Sequence, residues 1–126
     1  MKTVDTNILA RFLLNDDPHQ SPIAESIIAS GVYVPLTVLL ELGWLLRSRY
    51  DFDRAYLTAT LGDLIDMPTI NVEAEPAVRL ALVNYAKGGD FADYIHMIAA
   101  KGTEAFVTFD ASVMGGEDIG VSVELV

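Results

Sequence analysis

The stretch Lys2-Thr-Val-Asp-Thr-Asn-Ile-Leu-Ala-Arg-Phe-Leu-Leu14 decides the fold of this chain, because a strand pattern turns directly into a helix pattern within it. Lys2–Asp5 is typical of a short strand. The apolar residues that follow within Asn7–Leu14 recur at helical spacing. A strand that leads at once into a helix is the repeating unit of α/β proteins, so this stretch predicts a sheet that helices cover.

The rest of the sequence repeats this alternation. Further strands are predicted at Val32–Val34, Thr69–Val72, Phe106–Phe109 and Ile119–Leu125. Helices are predicted from Ser21-Pro22 to Gly31, at Thr37–Tyr50, from the cap Asp53 to the break at Pro68, from Glu75-Pro76 to Gly88-Gly89, and at Phe91–Lys101 after the cap Asp90, with a loop at Gly115-Gly116. The pattern indicates an α/β fold with a parallel sheet covered on both faces, in one domain that spans residues 1–126.

Composition limits the possible functions. Hydrophobic residues make up 52% of the 126 residues, which predicts a folded chain with an apolar face left for self-association or a partner. Cysteine is absent, which excludes disulfides, zinc–thiolate sites and cysteine catalysis. The formal net charge is −10, so binding of a nucleic acid would require a bound cation or a local basic patch.

The sequence shows no sign of membrane insertion. The longest apolar run, Leu36–Leu46, is about half of the ~20 residues that a membrane span needs, and it contains a charge. The N-terminus has no signal-peptide pattern. We therefore expect a soluble, cytoplasmic protein without membrane contact.

Four carboxylates lie at the edges of apolar elements. Asp5 and Asp110 follow strand patterns, where the working residues of parallel sheets collect. Asp93 lies in the first turn of a helix pattern, and Glu41 lies about one turn inside another. All four can converge at one edge of the sheet. Three of them also have ordinary alternatives, because Asp5 or Thr6 can cap a helix, Asp93 can serve the helix dipole and Asp110 can belong to a turn.

Glu41 is the acid that an ordinary role explains least well. Leucines and Trp44 surround it in the sequence and leave little room for a solvated face. Burial of an ionised carboxylate without a partner costs several kcal/mol. Glu41 is therefore expected to point into a polar site or to form an ion pair with Arg11 or Arg47.

A cluster of these acids would favour a divalent cation. Two unit charges ~5 Å apart at an effective dielectric of ~20 repel by roughly 3 kcal/mol, so the cluster requires protonation or a cation. Hard oxygen ligands suit Mg²⁺ or Mn²⁺. Such an ion binds a phosphate oxygen and lowers the pKa of an attacking water. His96, three residues after Asp93, is a further metal ligand, a partly buried helper or a surface residue.

Motifs of other phosphate and nucleophile chemistries are absent. The sequence has no Gly-x-x-x-x-Gly-Lys loop and no serine in a nucleophile elbow. Asp5-Thr-Asn7 lacks the second aspartate of a phosphatase that forms an aspartyl-phosphate. The acidic pair and the central aspartate of a response-regulator receiver are also missing.

The motifs that contain the four acids resemble those of the PIN-domain ribonucleases and, among them, of the VapC-type toxins of toxin–antitoxin pairs. These motifs are Val4-Asp5-Thr6-Asn7, Leu39-Leu-Glu41-Leu-Gly-Trp44, Asp90-Phe-Ala-Asp93-Tyr-Ile-His96 and Thr108-Phe-Asp110, in this order along essentially the whole chain. One departure is that Ala-Ser-Val-Met114 follows Asp110, where the family often has an aromatic residue.

The resemblance implies an α/β/α sandwich with a central, mostly parallel sheet and a Mg²⁺- or Mn²⁺-dependent endoribonuclease activity. The implied catalytic and metal-binding acids are Asp5, Glu41, Asp93 and Asp110, and the implied supporting residues are Thr6, Asn7, Asp90 and Thr108. The resemblance also implies a homodimer and a cognate antitoxin, through which alone the pair would contact DNA. Candidate guides for the RNA backbone are Arg11, Arg47 and Arg49.

Two other functions stay open from the sequence, namely a PIN-like binding module with little turnover and a metal-dependent phosphatase that acts on small substrates. The helices Ser21–Ser30 and Leu36–Tyr50 are candidate faces for the dimer or the antitoxin, and ordinary core is the alternative for both.

Overall fold

The chain adopts an α/β fold in the computed structural model, which describes residues 1–115 and 119–126. Five strands and six helices occur in these residues, and every strand pair is parallel. The elements are β1 (Lys2–Thr3), α1 (Thr6–Leu14), α2 (Gln20–Ala29), β2 (Val32–Val34), α3 (Leu36–Arg49), α4 (Arg54–Asp66), β3 (Ile70–Val72), α5 (Glu75–Lys87), α6 (Phe91–Ala99), β4 (Ala105–Thr108) and β5 (Ser122–Leu125). The predicted fold class and order of elements are confirmed.

The strands form two sheets, whereas the sequence predicted one central sheet. β1, β2 and β3 pair in that order, and β4 pairs with β5. β1 is only two residues long, and directly after it the N–H of Val4 donates to the carbonyl of Tyr33 (3.2 Å) while Asp5 already caps α1. A strand of two residues has few backbone N–H and C=O groups left to pair with a second neighbouring strand. This is consistent with β4 pairing with β5 and not with β1.

The predicted helix caps at Asp53 and Asp90 are confirmed. The Asp53 carboxylate accepts a hydrogen bond from the N–H of Tyr56 (2.7 Å), and the Asp90 carboxylate accepts one from the N–H of Ala92 (3.3 Å). Each bond satisfies a backbone donor that has no partner inside its helix. Asp90 thereby fixes the point at which α6 begins.

The cap predicted at Ser21 is wrong, because α2 begins at Gln20 with His19 in the N-cap position. Ser21 is buried inside the first turn, and its hydroxyl donates to the carbonyl of Arg11 (2.8 Å). The serine therefore ties α2 to α1.

The last strand begins later than predicted, at Ser122 instead of Ile119. Ile119 is buried in the core, and Gly120 adopts a φ of +97°, which turns the chain before pairing with β4 starts. The predicted loop at Gly115-Gly116 lies partly outside the described residues.

The core lies between the helices and the three-stranded sheet. Helix α3 packs against α1, α4 and α6, and α5 packs against α4 and α6. The largest fully buried side chains are Tyr94, Leu9, Ile28, Leu39, Leu42, Leu46, Leu57, Leu61, Leu64, Met97, Val32 and Val34. Within the described ranges, every helix is too short or too polar to cross a lipid bilayer.

Candidate active site

Asp93 lies in the first turn of α6, on the side of the helix that is only partly covered. Burial raises the pKa of its carboxyl above the ordinary value, the negative charges of Asp90 and Asp110 raise it further, and His96 opposes the shift. Three acids from two separate segments therefore act on one another at the start of α6. A cation at this position would relieve their repulsion.

Asp110 lies two residues beyond β4 and is exposed. Its Oδ1 accepts hydrogen bonds from both the N–H (2.8 Å) and the hydroxyl (2.6 Å) of Ser112, and its own N–H donates to Oγ1 of Thr108 (3.0 Å). The bonds from Ser112 lower the pKa of Asp110. The turn role predicted as an alternative for Asp110 is confirmed, and Thr108 supports the backbone of this turn.

Asp5 caps α1, as its alternative role predicted. Its Oδ1 accepts a hydrogen bond from the N–H of Ile8 (3.1 Å). Thr6 is the buried first residue of the helix, and Asn7 is exposed beside it. The cap uses one of the two carboxylate oxygens of Asp5.

Glu41 is exposed, so the expectation that it has little room for a solvated face is wrong. The buried face of α3 consists of Leu36, Leu39, Leu42, Gly43 and Leu46. Each helical residue is rotated by about 100° from the last, so apolar neighbours in sequence can lie on a different face.

The ion pair predicted as an alternative for Glu41 is not found within residues 1–115 and 119–126. Arg11 pairs with Asp16 (3.0 Å) and donates to Oη of Tyr50 (3.1 Å). Arg47 donates to the carbonyl of Phe52 (3.3 Å). Neither arginine neutralises Glu41, and Arg11 is engaged in a way that limits its use as a guide for RNA.

Glu41 lines a cavity of about 530 Å³ between α3 and the start of α6. Asp90 lines the same cavity, together with Trp44, Arg47 and Arg54. The cavity therefore joins one candidate acid of α3 to the cap of the helix that carries Asp93.

Gly43 allows α3 to approach α6 closely. A Cβ atom added at Gly43 would lie 2.6 Å from Cδ2 and 2.9 Å from Cε2 of Phe91, which is buried. No larger residue fits without displacing the Phe91 ring. No pattern in the sequence predicts this role of Gly43, because the partner of a glycine in a close helix contact lies far away along the chain.

Arg54 holds the turn that precedes Asp90. Its Nη1 donates to the carbonyls of Tyr85 and Gly89, both at 2.8 Å, and its Cζ lies 4.5 Å from the centroid of the Tyr85 ring. On the other side of the turn, Oη of Tyr94 donates to the carbonyl of Gly88 (2.9 Å). The start of α6 is thus fixed by two side chains from different helices, which no sequence motif indicated.

Among the described residues, the four candidate acids do not form the single cluster that the sequence predicted, and the contacts described above relate Asp5 to no other candidate acid. In the described part of the chain, no group of three or more histidine, aspartate and glutamate side chains is arranged to hold a metal ion. Glu41 and Asp90 share the cavity, while Asp93 interacts with Asp90 and Asp110. Mg²⁺ usually binds proteins through one or two carboxylates and keeps several waters, so oxygen donors in pairs fit this ion.

His96 is exposed, and its ring stacks on Phe106 with centroids 6.4 Å apart and an interplanar angle of 11°. This contact places the imidazole against β4. Its charge still acts on Asp93, one helical turn away.

Comparison with known proteins identifies the family to which the chain is similar. Residues 2–113 match the model of the PIN domain family, and this range contains all four candidate acids. A VapC ribonuclease of Aquifex aeolicus (strain VF5) is 29% identical, in an alignment that covers 86% of this chain and 87% of that protein. No solved structure matches the chain significantly.

Proposed function

Because the chain belongs to the PIN domain family, we propose that it is a divalent-metal-dependent endoribonuclease and the toxin of a toxin–antitoxin pair. The similarity to a VapC ribonuclease over most of both chains supports the reaction class. The observation that carries the proposal is the cavity that Glu41 and Asp90 line beside the first turn of α6, where burial and the charges of Asp90 and Asp110 also raise the pKa of Asp93. Perturbed carboxylates of this kind concentrate at functional sites.

We assign Asp5 and Asp93 as direct ligands of Mg²⁺ or Mn²⁺, and Glu41 as a ligand that acts directly or through water. Asp110 lies at the rim, where it contributes charge. The ion would stabilise charge on the phosphate and lower the pKa of the attacking water. Four carboxylates without an ion would repel the RNA backbone, which explains why an acidic chain requires the metal first.

The supporting residues keep the acids in place. Asp90 sets the start of α6, and the Thr108 hydroxyl accepts the N–H of Asp110 at 3.0 Å. Thr6 and Asn7 occupy the first turn of α1 beside Asp5. Supporting bonds of this kind typically change metal affinity or activity by about 10- to 100-fold when they are lost.

The proposed reaction is hydrolysis of a phosphodiester bond. Water adds to phosphorus, the bond from phosphorus to one ester oxygen breaks, and the released oxygen takes up a proton. The carboxylates orient the attacking water and accept its proton. The products are one fragment that ends in a phosphate and one that ends in a hydroxyl.

The proposal includes partners that the toxin role requires. A cognate antitoxin would hold the enzyme inactive, and DNA would be contacted only through that antitoxin. We also propose a homodimer and a cytoplasmic location. Of the two candidate faces, α2 exposes Ile23 and α3 exposes Trp44, while most of their other apolar residues belong to the core or pack against it.

The test is cleavage of structured RNAs in Mn²⁺ by the wild type, Asp93→Asn and Asp63→Asn. Asp63 is an exposed acid of α4 and serves as an isosteric control. We expect Asp93→Asn to lower the rate by at least about 100-fold, the upper end of the effect of a supporting group, and Asp63→Asn to leave it unchanged. Equal cleavage by all three proteins would refute the assignment.

Metal binding is measured separately, as the shift of the unfolding temperature in Mn²⁺. A ligand that binds only the folded chain raises this temperature. We expect a rise for the wild type and for Asp63→Asn, and a smaller one for Asp93→Asn. The same rise in all three would contradict the assigned ligand.

A further inference from the structure

The indole of Trp44 is 60% exposed, although α3 supplies much of the core. Trp44 lies three residues after Glu41, so both side chains occupy one face of the helix. The contacts that Trp44 makes with the described residues leave most of its surface open to solvent. A large aromatic side chain at the edge of a site is the usual platform on which an unpaired nucleic-acid base stacks.

The cavity beside Trp44 has the size and lining of a ligand site. Its volume of about 530 Å³ lies within the range of small-molecule pockets. Phe91 and Leu40 supply apolar walls, and Glu41 and Asp90 also line it. A base held there would lie beside Glu41, which the proposed function assigns to the metal, and beside the cap of the helix that carries Asp93.

Two arginines offset the charges of the two acids that line this cavity. The chain has eight lysine and arginine residues in all, and Arg47 and Arg54 both line the cavity. Arg54 is held by the carbonyls of Tyr85 and Gly89, whereas Arg47 is exposed and makes one long bond of 3.3 Å. An exposed guanidinium next to an exposed indole suits a phosphate attached to a stacked base.

We propose that this cavity binds one unpaired nucleotide next to the cleaved bond, with Trp44 stacking on the base and Arg47 contacting its phosphate. The inference rests on the proposed ribonuclease function, since it names the residues that would hold the RNA beside the same site.

Trp44 is the one tryptophan of the chain, so its fluorescence reports on the cavity directly. We would titrate the full chain in Mg²⁺ with a short oligoadenylate that carries phosphorothioate linkages, so that the cation required by the acidic site is present and cleavage is slow. Saturable quenching is expected, and an abasic ribose-phosphate oligomer of equal length should quench far less. Equal quenching by both oligomers would overturn the stacking role.

Substitutions test the same contact by anisotropy of a labelled oligoadenylate. Trp44→Ala should weaken binding by roughly tenfold, within the range known for base stacking, while Trp44→Phe should retain most of the affinity. Tyr56→Ala is the matched control, because Tyr56 is also 59% exposed and lies outside the cavity lining. Equal losses in Trp44→Ala and Tyr56→Ala would overturn the proposal.

The outcomes separate this inference from the proposed activity. RNA cleavage without quenching, and with an unchanged KM in Trp44→Ala, overturns the subsite and leaves the nuclease intact. Base-dependent quenching without cleavage supports the subsite and refutes the activity.

Fluorescence that changes with protein concentration in the absence of RNA assigns Trp44 to a contact between copies and overturns the proposal. Quenching by a basic peptide and not by RNA assigns it to a protein partner and likewise overturns the proposal.

Discussion

The start of α6 and the end of β4 each carry a candidate acid, and they hold it in different ways. Asp93 follows a turn fixed by Arg54 and lies on a helix that packs on α3 at Gly43. Asp110 lies in an exposed turn held by Thr108 and Ser112, both within two residues of it. One acid is positioned by tertiary packing and the other by local bonds.

The pKa shifts follow from this difference. Burial and neighbouring charges disfavour ionisation of Asp93, whereas local hydrogen bonds favour it for Asp110. A partly buried carboxylate with like charges around it gains most from a cation, and a solvated carboxylate in its own hydrogen-bonded turn gains least. If the proposed function holds, this difference favours Asp93 over Asp110 as the principal metal ligand.

The largest effect is expected for Arg54→Ala, which leaves the carbonyls of Tyr85 and Gly89 without their charged donor. The free energy of unfolding should fall by about 2–3 kcal/mol, since hydrogen bonds to charged groups contribute about 1.5–3 kcal/mol. RNA cleavage should fall mainly in kcat. Urea unfolding and steady-state kinetics measure the two quantities.

Arg79→Ala is the control for Arg54→Ala. Arg79 pairs with Asp66 at 2.7 Å, but both side chains are largely exposed, so the loss of stability should be much smaller than for Arg54→Ala. If both substitutions cost the same, the start of α6 does not depend on Arg54 and the comparison fails.

A smaller effect is expected for Gly43→Ala, because the new methyl group meets the Phe91 ring. Overpacking of this kind costs about 1–3 kcal/mol, and we expect the lower half of that range together with reduced cleavage. Gly62→Ala in α4 is the control, since nothing lies within 4 Å of its added Cβ. Alanine in that helix should stabilise the chain by roughly 0.5–1 kcal/mol. A gain in stability at both positions would contradict the close approach of α3 and α6.

The contrast between local bonds and tertiary packing also explains which features of the fold and the site could be predicted from the sequence. Caps such as Asp53 and Asp90, the order of strands and helices, and the turn at Asp110 depend on residues a few positions apart, and local patterns predict such features. The exposure of Glu41 was missed, because its apolar neighbours in sequence lie on another face of α3. Arg54 and Gly43 act on residues more than 30 positions away, and no local pattern encodes such contacts.

The smallest effect is a pH dependence of opposite sign for the two acids, measured without divalent cations. The pKa of Asp93 is higher in the folded chain than the ordinary value of 3.8, so the folded chain binds more protons between the two values and its stability falls as pH rises. Asp93→Asn should therefore raise the free energy of unfolding at about pH 7, by a fraction of a kcal/mol because solvent screens the partly exposed group. This gain should vanish below the ordinary pKa.

Asp110 should give a pH dependence of stability with the opposite sign. Its folded pKa is lowered, so its carboxylate stabilises the chain above the ordinary value of 3.8 and loses this contribution as pH falls through the folded pKa. Asp110→Asn should lower stability at about pH 7 and should approach the wild type in acid. Urea unfolding of the three proteins at about pH 7, about pH 3.5 and about pH 2 measures both differences, and the lowest pH is needed because the folded pKa of Asp110 lies below 3.8. If both substitutions change the free energy of unfolding at about pH 7 in the same direction, the two acids share one environment. The distinction between a packed and a solvated carboxylate would then have to be abandoned.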